Sequence, residues 1–116
     1  MKRPVVKRTI ACLALSVAAT AYAHAHLQGS MPADGAVLDQ SPATFSLRFN
    51  EPATLTLLKL QKDGEAPRNM AVPDRPAVDV NVPAPKLDAG SYTLSYKALS
   101  GDNHVVAGQI HFKVTH

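Results

Sequence analysis

SYTLSYKALSGDNHVVAGQIHFKV, residues 91–114, contains two runs in which every second residue is apolar. Tyr92, Leu94, Tyr96 and Ala98 alternate with Thr93, Ser95 and Lys97, and Ile110, Phe112 and Val114 alternate with His111 and Lys113. Successive side chains of a strand point to opposite faces, so a period of two marks a strand buried on one side. Between the runs, Ser100-Gly101-Asp102-Asn103 supplies turn-forming residues.

The same pattern extends outward. Phe45, Leu47 and Phe49 alternate with Ser46 and Arg48, and ATLTLLKLQ, residues 53–61, is a further strand in which Leu57-Leu58 blurs the parity. Turn chemistry recurs at Pro32–Gly35, Ser41-Pro42, Lys62–Gly64 and Asp88–Gly90. Pro73, Pro76, Pro83 and Pro85 make 72–86 a set of short edge strands and loops, because proline cannot donate to a ladder. No stretch sustains a 3.6-residue stripe, and there is no repeat or linker. Six or seven short strands predict an all-β domain, a small antiparallel Greek-key β-sandwich, with a barrel of similar strand count as the structural alternative.

MKRPVVKR opens the chain with four positive charges, and the apolar run TIACLALSVAATAYA, residues 9–23, ends in Ala21-Tyr22-Ala23. Basic, apolar and A-x-A segments in that order predict a cleaved signal peptide over 1–23 and a domain over 24–116. The run is shorter than the roughly 20 residues that span a bilayer. Of the 12 basic residues four leave with the leader, so eight face nine acidic ones and the mature chain carries −1. That balance excludes a nucleic-acid footprint. The single cysteine, Cys12, also leaves, so the domain is held by packing or metal and has no disulfide partner. A monomer is expected.

Cleavage after Ala23 makes His24 the first residue, and its α-amine and imidazole Nδ1 can then close a six-membered chelate ring. An α-amine ordinarily titrates at about 7.7–8.0 and an imidazole at about 6.5, so both protons are easy to displace at neutral pH. Paired nitrogen donors suit Cu(II) or Ni(II). Asp102-Asn103-His104 places a carboxylate and an imidazole at i and i+2, facing one side of an extended segment. Together with His24 they make a three-nitrogen, one-oxygen set. Met31 and Met70 are isolated, which disfavours a thioether Cu(I) site.

HLQGSMPADGAVL (26–38), Phe49-Asn50-Glu51, AGSYTLSYKALSGDNH (89–104) and GQIHFKV (108–114) resemble the periplasmic copper-resistance protein CopC family over essentially the whole mature chain. The resemblance implies a seven-stranded, cupredoxin- or immunoglobulin-like fold, a periplasmic location, and one Cu(II) ion per chain. It also implies His24, Asp102 and His104 as ligands. Glu51, in the position of the acid of the family's F-S-E turn, becomes a weaker, axial or water-mediated candidate. A CopD-type inner-membrane copper transporter or other copper-resistance proteins are the implied partners. The sequence departs from members that hold Cu(I) in a Met-rich loop, since EAPRNMAVPDRP (65–76) offers only Met70.

Plainer readings compete at several positions. His26, third in the mature chain, can chelate Cu(II) with the amine and two deprotonated amides without any fold. Asp102 can serve only as an Asx-turn residue. His104 shares the parity of Ile110, Phe112 and Val114, which makes it a core residue unless Gly108 hosts a bulge or the site lies at the rim, and the rim is the preferred reading. His111 and His116 read as solvated. The expected function is a non-enzymatic Cu(II) carrier or buffer in copper resistance. The alternatives are a copper-dependent oxidase or monooxygenase-like enzyme using an N-terminal histidine, and an immunoglobulin-like scaffold with no metal-dependent rise in melting temperature.

Overall fold

The computed structural model describes residues 25–116, so the expected signal peptide and His24 lie outside the described residues. Seven strands follow in order: β1 (Leu27–Met31), β2 (Ala36–Leu38), β3 (Thr44–Lys62), β4 (Arg68–Asn69), β5 (Ala77–Pro83), β6 (Gly90–Ser100) and β7 (Val105–Val114). The 19-residue β3 organises the rest. Its first part pairs antiparallel with β1, from Leu27↔Phe49 to Met31↔Ser46, and on its other edge with β5, from Thr44↔Pro83 to Arg48↔Asp79. Its second part pairs with β6, from Ala53↔Ser100 to Lys62↔Tyr92, and with β4. Between them lies Pro52, which has no N–H to give a ladder, and the β5 pairing is interrupted between Arg48 and Ala53.

One strand therefore runs through both walls of the domain. The β1-β3-β5 wall faces the β4-β3-β6-β7-β2 wall across a core of the residues whose alternation predicted it. Phe45, Leu47, Phe49, Leu94, Ala98, Ile110 and Val114 are each at most 1% exposed. Phe45 meets Phe112 from the opposite wall at 6.0 Å between ring centroids, and Phe49 meets Tyr96 edge-on at 6.2 Å and 71°. Sandwich and barrel, the two architectures the sequence left open, merge here because the sheet curls continuously through β3.

The blurred parity at Leu57-Leu58 has a local cause. The β3–β6 register shifts between Leu55 and Leu57, leaving Thr56 as an extra residue. The buried set accordingly changes from Ala53 and Leu55 to Leu58 and Leu60, as a β-bulge requires. Not every pairing is antiparallel. β2 lies parallel to β7, from Ala36↔Phe112 to Leu38↔Val114. It arrives through Gly35, whose φ of 86° suits glycine and whose N–H donates to the His111 carbonyl at 2.6 Å.

The β6–β7 ladder runs without a shift from Leu99↔Val105 to Gly90↔Val114. Gly108 therefore hosts no bulge; instead it makes room for a ring. A Cβ built there comes within 2.6 Å of the Tyr96 hydroxyl oxygen and 2.9 Å of its Cζ. Gly108→Ala is expected to cost about 1–3 kcal/mol, the usual range for overpacking, less the few tenths gained from a stiffer unfolded chain. Urea denaturation checks this, and a neutral outcome means the ring swings aside freely.

Candidate metal centre

Three segments converge at one end of the sandwich. The β6–β7 turn begins where Ser100 faces Ala53, and Glu51, half-buried, lies just before Ala53 on β3. The start of the described chain arrives beside the same bend. Ala25 is fully buried in the core, Asn50 N–H donates to the His26 carbonyl at 3.0 Å, and His26 N–H donates to Asn50 Oδ1. Two hydrogen bonds and one buried methyl thus fix the residues that follow His24 to the end of the domain that carries Asp102 and His104.

The turn itself differs from the extended segment expected. Asn103 takes a left-handed φ of 67°, a conformation asparagine tolerates well. Asn103 N–H donates to the Ser100 carbonyl at 3.0 Å, and Ser100 N–H donates to that of His104 at 2.9 Å. Asp102 and His104 nevertheless face each other, with Oδ2 2.9 Å from Nδ1. Asp102 also accepts from His104 N–H at 3.4 Å, as an Asx-turn residue does. The turn role and the pairing role therefore coexist in one carboxylate.

His104 stands outside β7, with 61% of its side chain exposed. The alternation of β7 continues as far as Val106, but burial thins toward this end, with Val106 and Gly108 only half-buried, and His104 lies beyond the strand. The imidazole is therefore at the rim rather than in the core. Among the described residues no three of His, Cys, Asp and Glu converge. Asp102 and His104 form a pair, Glu51 lies at the same end without joining them, and the fourth candidate, His24, precedes the described residues.

Ser100 escaped the sequence reading. It is 3% exposed, the one buried polar side chain among the described residues. Its hydroxyl donates to Asp102 Oδ1 and also contacts the His104 carbonyl at 3.1 Å. A signal did exist, since Ser100 continues the inward parity of Tyr92, Leu94, Tyr96 and Ala98, and a hydroxyl at a core position needs a partner. That bond, followed by the ring and amide of His104, holds the Asp102 carboxyl down at about 2 against an ordinary 3.8.

A carboxyl with a lowered folded-state pKa stabilises the fold above its unfolded pKa, near pH 4, and ceases to do so as pH falls toward 2. The metal-free wild type is expected to lose melting temperature across that window, and Ser100→Ala to lose visibly less. Asp34, lowered chiefly by the backbone and ring of His111, contributes equally in both proteins. Identical acid curves would remove the role assigned to the serine.

The remaining histidines and methionines are accounted for locally. His111 Nδ1 lies 3.1 Å from Asp34 Oδ1 with its ring 59% exposed, so it is partnered on the polar face as well as solvated. His116 is exposed. Met70 packs against the core, and its N–H donates to the Leu58 carbonyl at 2.8 Å. Met31 is 67% exposed.

Residues 27–115 match the family described as the CopC domain. Copper resistance protein C of Xanthomonas campestris pv. juglandis is 33% identical, with 94% of each chain covered, and that of Escherichia coli is also 33% identical, covering 88% of this chain and 90% of its own. Among solved structures, CopC from Methylosinus trichosporium OB3b superposes with a TM-score of 0.64 at 25% identity, covering 79% of this chain and 94% of that one. PcoC of Escherichia coli, described as a methionine rich copper resistance protein, superposes at 0.56 with 30% identity, covering 80% of this chain and all of that one. On the family match, the relatives' identity along nearly their full length and the shared fold, this chain belongs to the CopC family.

Proposed function

We propose that the mature protein begins at His24 after removal of a 1–23 signal peptide and acts in the periplasm as a carrier or buffer for one Cu(II) ion. The His24 amine and imidazole, the Asp102 carboxylate and the His104 ring form the donor set, with Glu51 in an axial or water-mediated position. The observation that carries this is the Asp102–His104 pair, set at the end of the sandwich where Ala25 and His26 are anchored. Its 2.9 Å oxygen-to-nitrogen separation suits adjacent ligands of one ion, since bonds of about 2.0–2.1 Å at a right angle put cis donors about 2.9 Å apart. Copper here is cargo.

The relatives are named for copper resistance and not for a reaction, and an equatorial carboxylate fills a position that oxygen chemistry needs open. The carrier reading is therefore preferred over the oxidase or monooxygenase one. A CopD-type inner-membrane transporter, or another copper-resistance protein, is the partner this reading implies.

The test is Cu(II) titration of the mature protein against a competing chelator. Three donors must shed protons to bind, so affinity is expected to fall on the order of a thousandfold or more from pH 8 to pH 5. Asp102→Ala and His104→Ala should each weaken binding and alter the copper spectrum. A flat pH profile, or two variants indistinguishable from wild type, refutes the donor set.

A further inference from the structure

His26 presents copper with a rival way of binding. A cupric ion can lie in one plane with an N-terminal amine, the next two peptide nitrogens and the imidazole of the third residue. Here those donors are the His24 amine, the nitrogens of Ala25 and His26, and the His26 ring. Each peptide nitrogen enters such a plane only after its proton has gone to water and its N–H direction has turned onto the ion. A free peptide does this readily, whereas a folded chain can prevent it.

In this domain one of the required nitrogens is already committed. The His26 N–H points at Asn50 Oδ1, and the His26 carbonyl accepts the Asn50 N–H at 3.0 Å. Ala25 is fully buried among the core side chains. Leu27, the residue after His26, is already in register with Phe49. Wrapping residues 24–26 around an ion would break the His26 N–H bond to Asn50 Oδ1 and turn the backbone beside the buried Ala25. The His26 ring, by contrast, belongs to an exposed residue and could take part. The obstacle is therefore the backbone on which the ring stands.

We propose that Asn50 is a specificity-determining residue that selects how copper is held: its side-chain carbonyl keeps the His26 nitrogen out of the coordination sphere and leaves the ion to His24, Asp102 and His104. This rests on the donor set argued above. Asn50 touches no donor of that set through the bond in question, so it acts by positioning, through the chain at His26. Its exposed position at the β3 bend means that shortening its side chain opens no cavity in the core.

The experiment uses the mature protein beginning at His24, loaded with one equivalent of Cu(II) and read by electron paramagnetic resonance and visible absorption. Wild type and His26→Ala should give the same signature. Asn50→Ala should add a second component, with its visible band at higher energy and its copper hyperfine splitting larger, as amide nitrogens replace carboxylate. The Asn50→Ala/His26→Ala double variant should lose that component. Melting of the metal-free variant establishes that it is folded; if alanine is not tolerated, Asn50→Ser removes the same carbonyl. A folded Asn50 variant with the wild-type signature overturns the selection role and leaves the donor set standing. An Asp102→Ala spectrum identical to wild type overturns the donor set, and the selection role falls with it.

Discussion

Acetylating the His24 α-amine of the mature protein is expected to weaken Cu(II) binding by well over the roughly 10- to 100-fold that loss of an outer-shell partner costs. In the proposed donor set the amine and the ring of one residue form a chelate, and acylation takes the lone pair of the first donor and breaks the ring. The fold also denies the chain a remedy. Ala25 is buried, and His26 is tied to Asn50 through both its N–H and its carbonyl, so the segment cannot slide to bring another nitrogen forward. A chain that still carries residues 1–23 has an amide at the same position and should be equally deficient. Competition titration and loss of nitrogen coupling in the copper spectrum are the measurements. Unchanged affinity in a folded, acetylated protein would falsify the proposed role of the terminus.

Phe49→Ala should be the most damaging single truncation at this end of the domain, at about 3–5 kcal/mol. The ring is fully buried and meets Tyr96 edge-on from the opposite wall. Its backbone pairs with Leu27 in β1, next to the bend that receives His26. A domain of this size has on the order of 5–15 kcal/mol in total, and each kcal/mol corresponds to about 4–8 °C. The melting temperature should therefore drop by at least about 12 °C. A loss below about 1.5 kcal/mol in urea denaturation would mean that this part of the core is loosely packed.

Most of the fold was legible because one rule governs it. Wherever a strand is dry on one side its letters alternate, and Phe45, Leu47, Phe49 and the inward residues of β6 do so without exception, as does β7 from Ile110 onward. The rule failed only where the backbone departs from a regular ladder. Leu57-Leu58 was ambiguous because the extra residue at Thr56 belongs to a pairing with β6, a strand far along the chain. β2 and β4 are too short for alternation to show, and the parallel pairing of β2 follows from the path taken after Gly35 rather than from its own residues.

The site divides in the same way. That Asp102 and His104 face each other was legible because they are close in sequence, although the turn that brings them together is not the extended segment expected. Ser100 was within reach of the same parity argument. The hold of Asn50 on His26 was not, because it depends on the register between β1 and β3, which includes a shift between Leu27 and Gly29. No local pattern encodes a contact between residues 24 positions apart.

The strand that serves both walls has a consequence for hydrogen exchange. Sandwiches whose sheets share no strand can open one sheet while the other stays closed, and their amides then exchange at two distinct rates. Here residues 44–62 take part in both, so neither sheet can open fully without drawing on the same backbone. Slow amides along β3 should therefore exchange only when the whole domain opens, and the end that carries Asp102 and His104 should share that protection through Ala53 and Ser100.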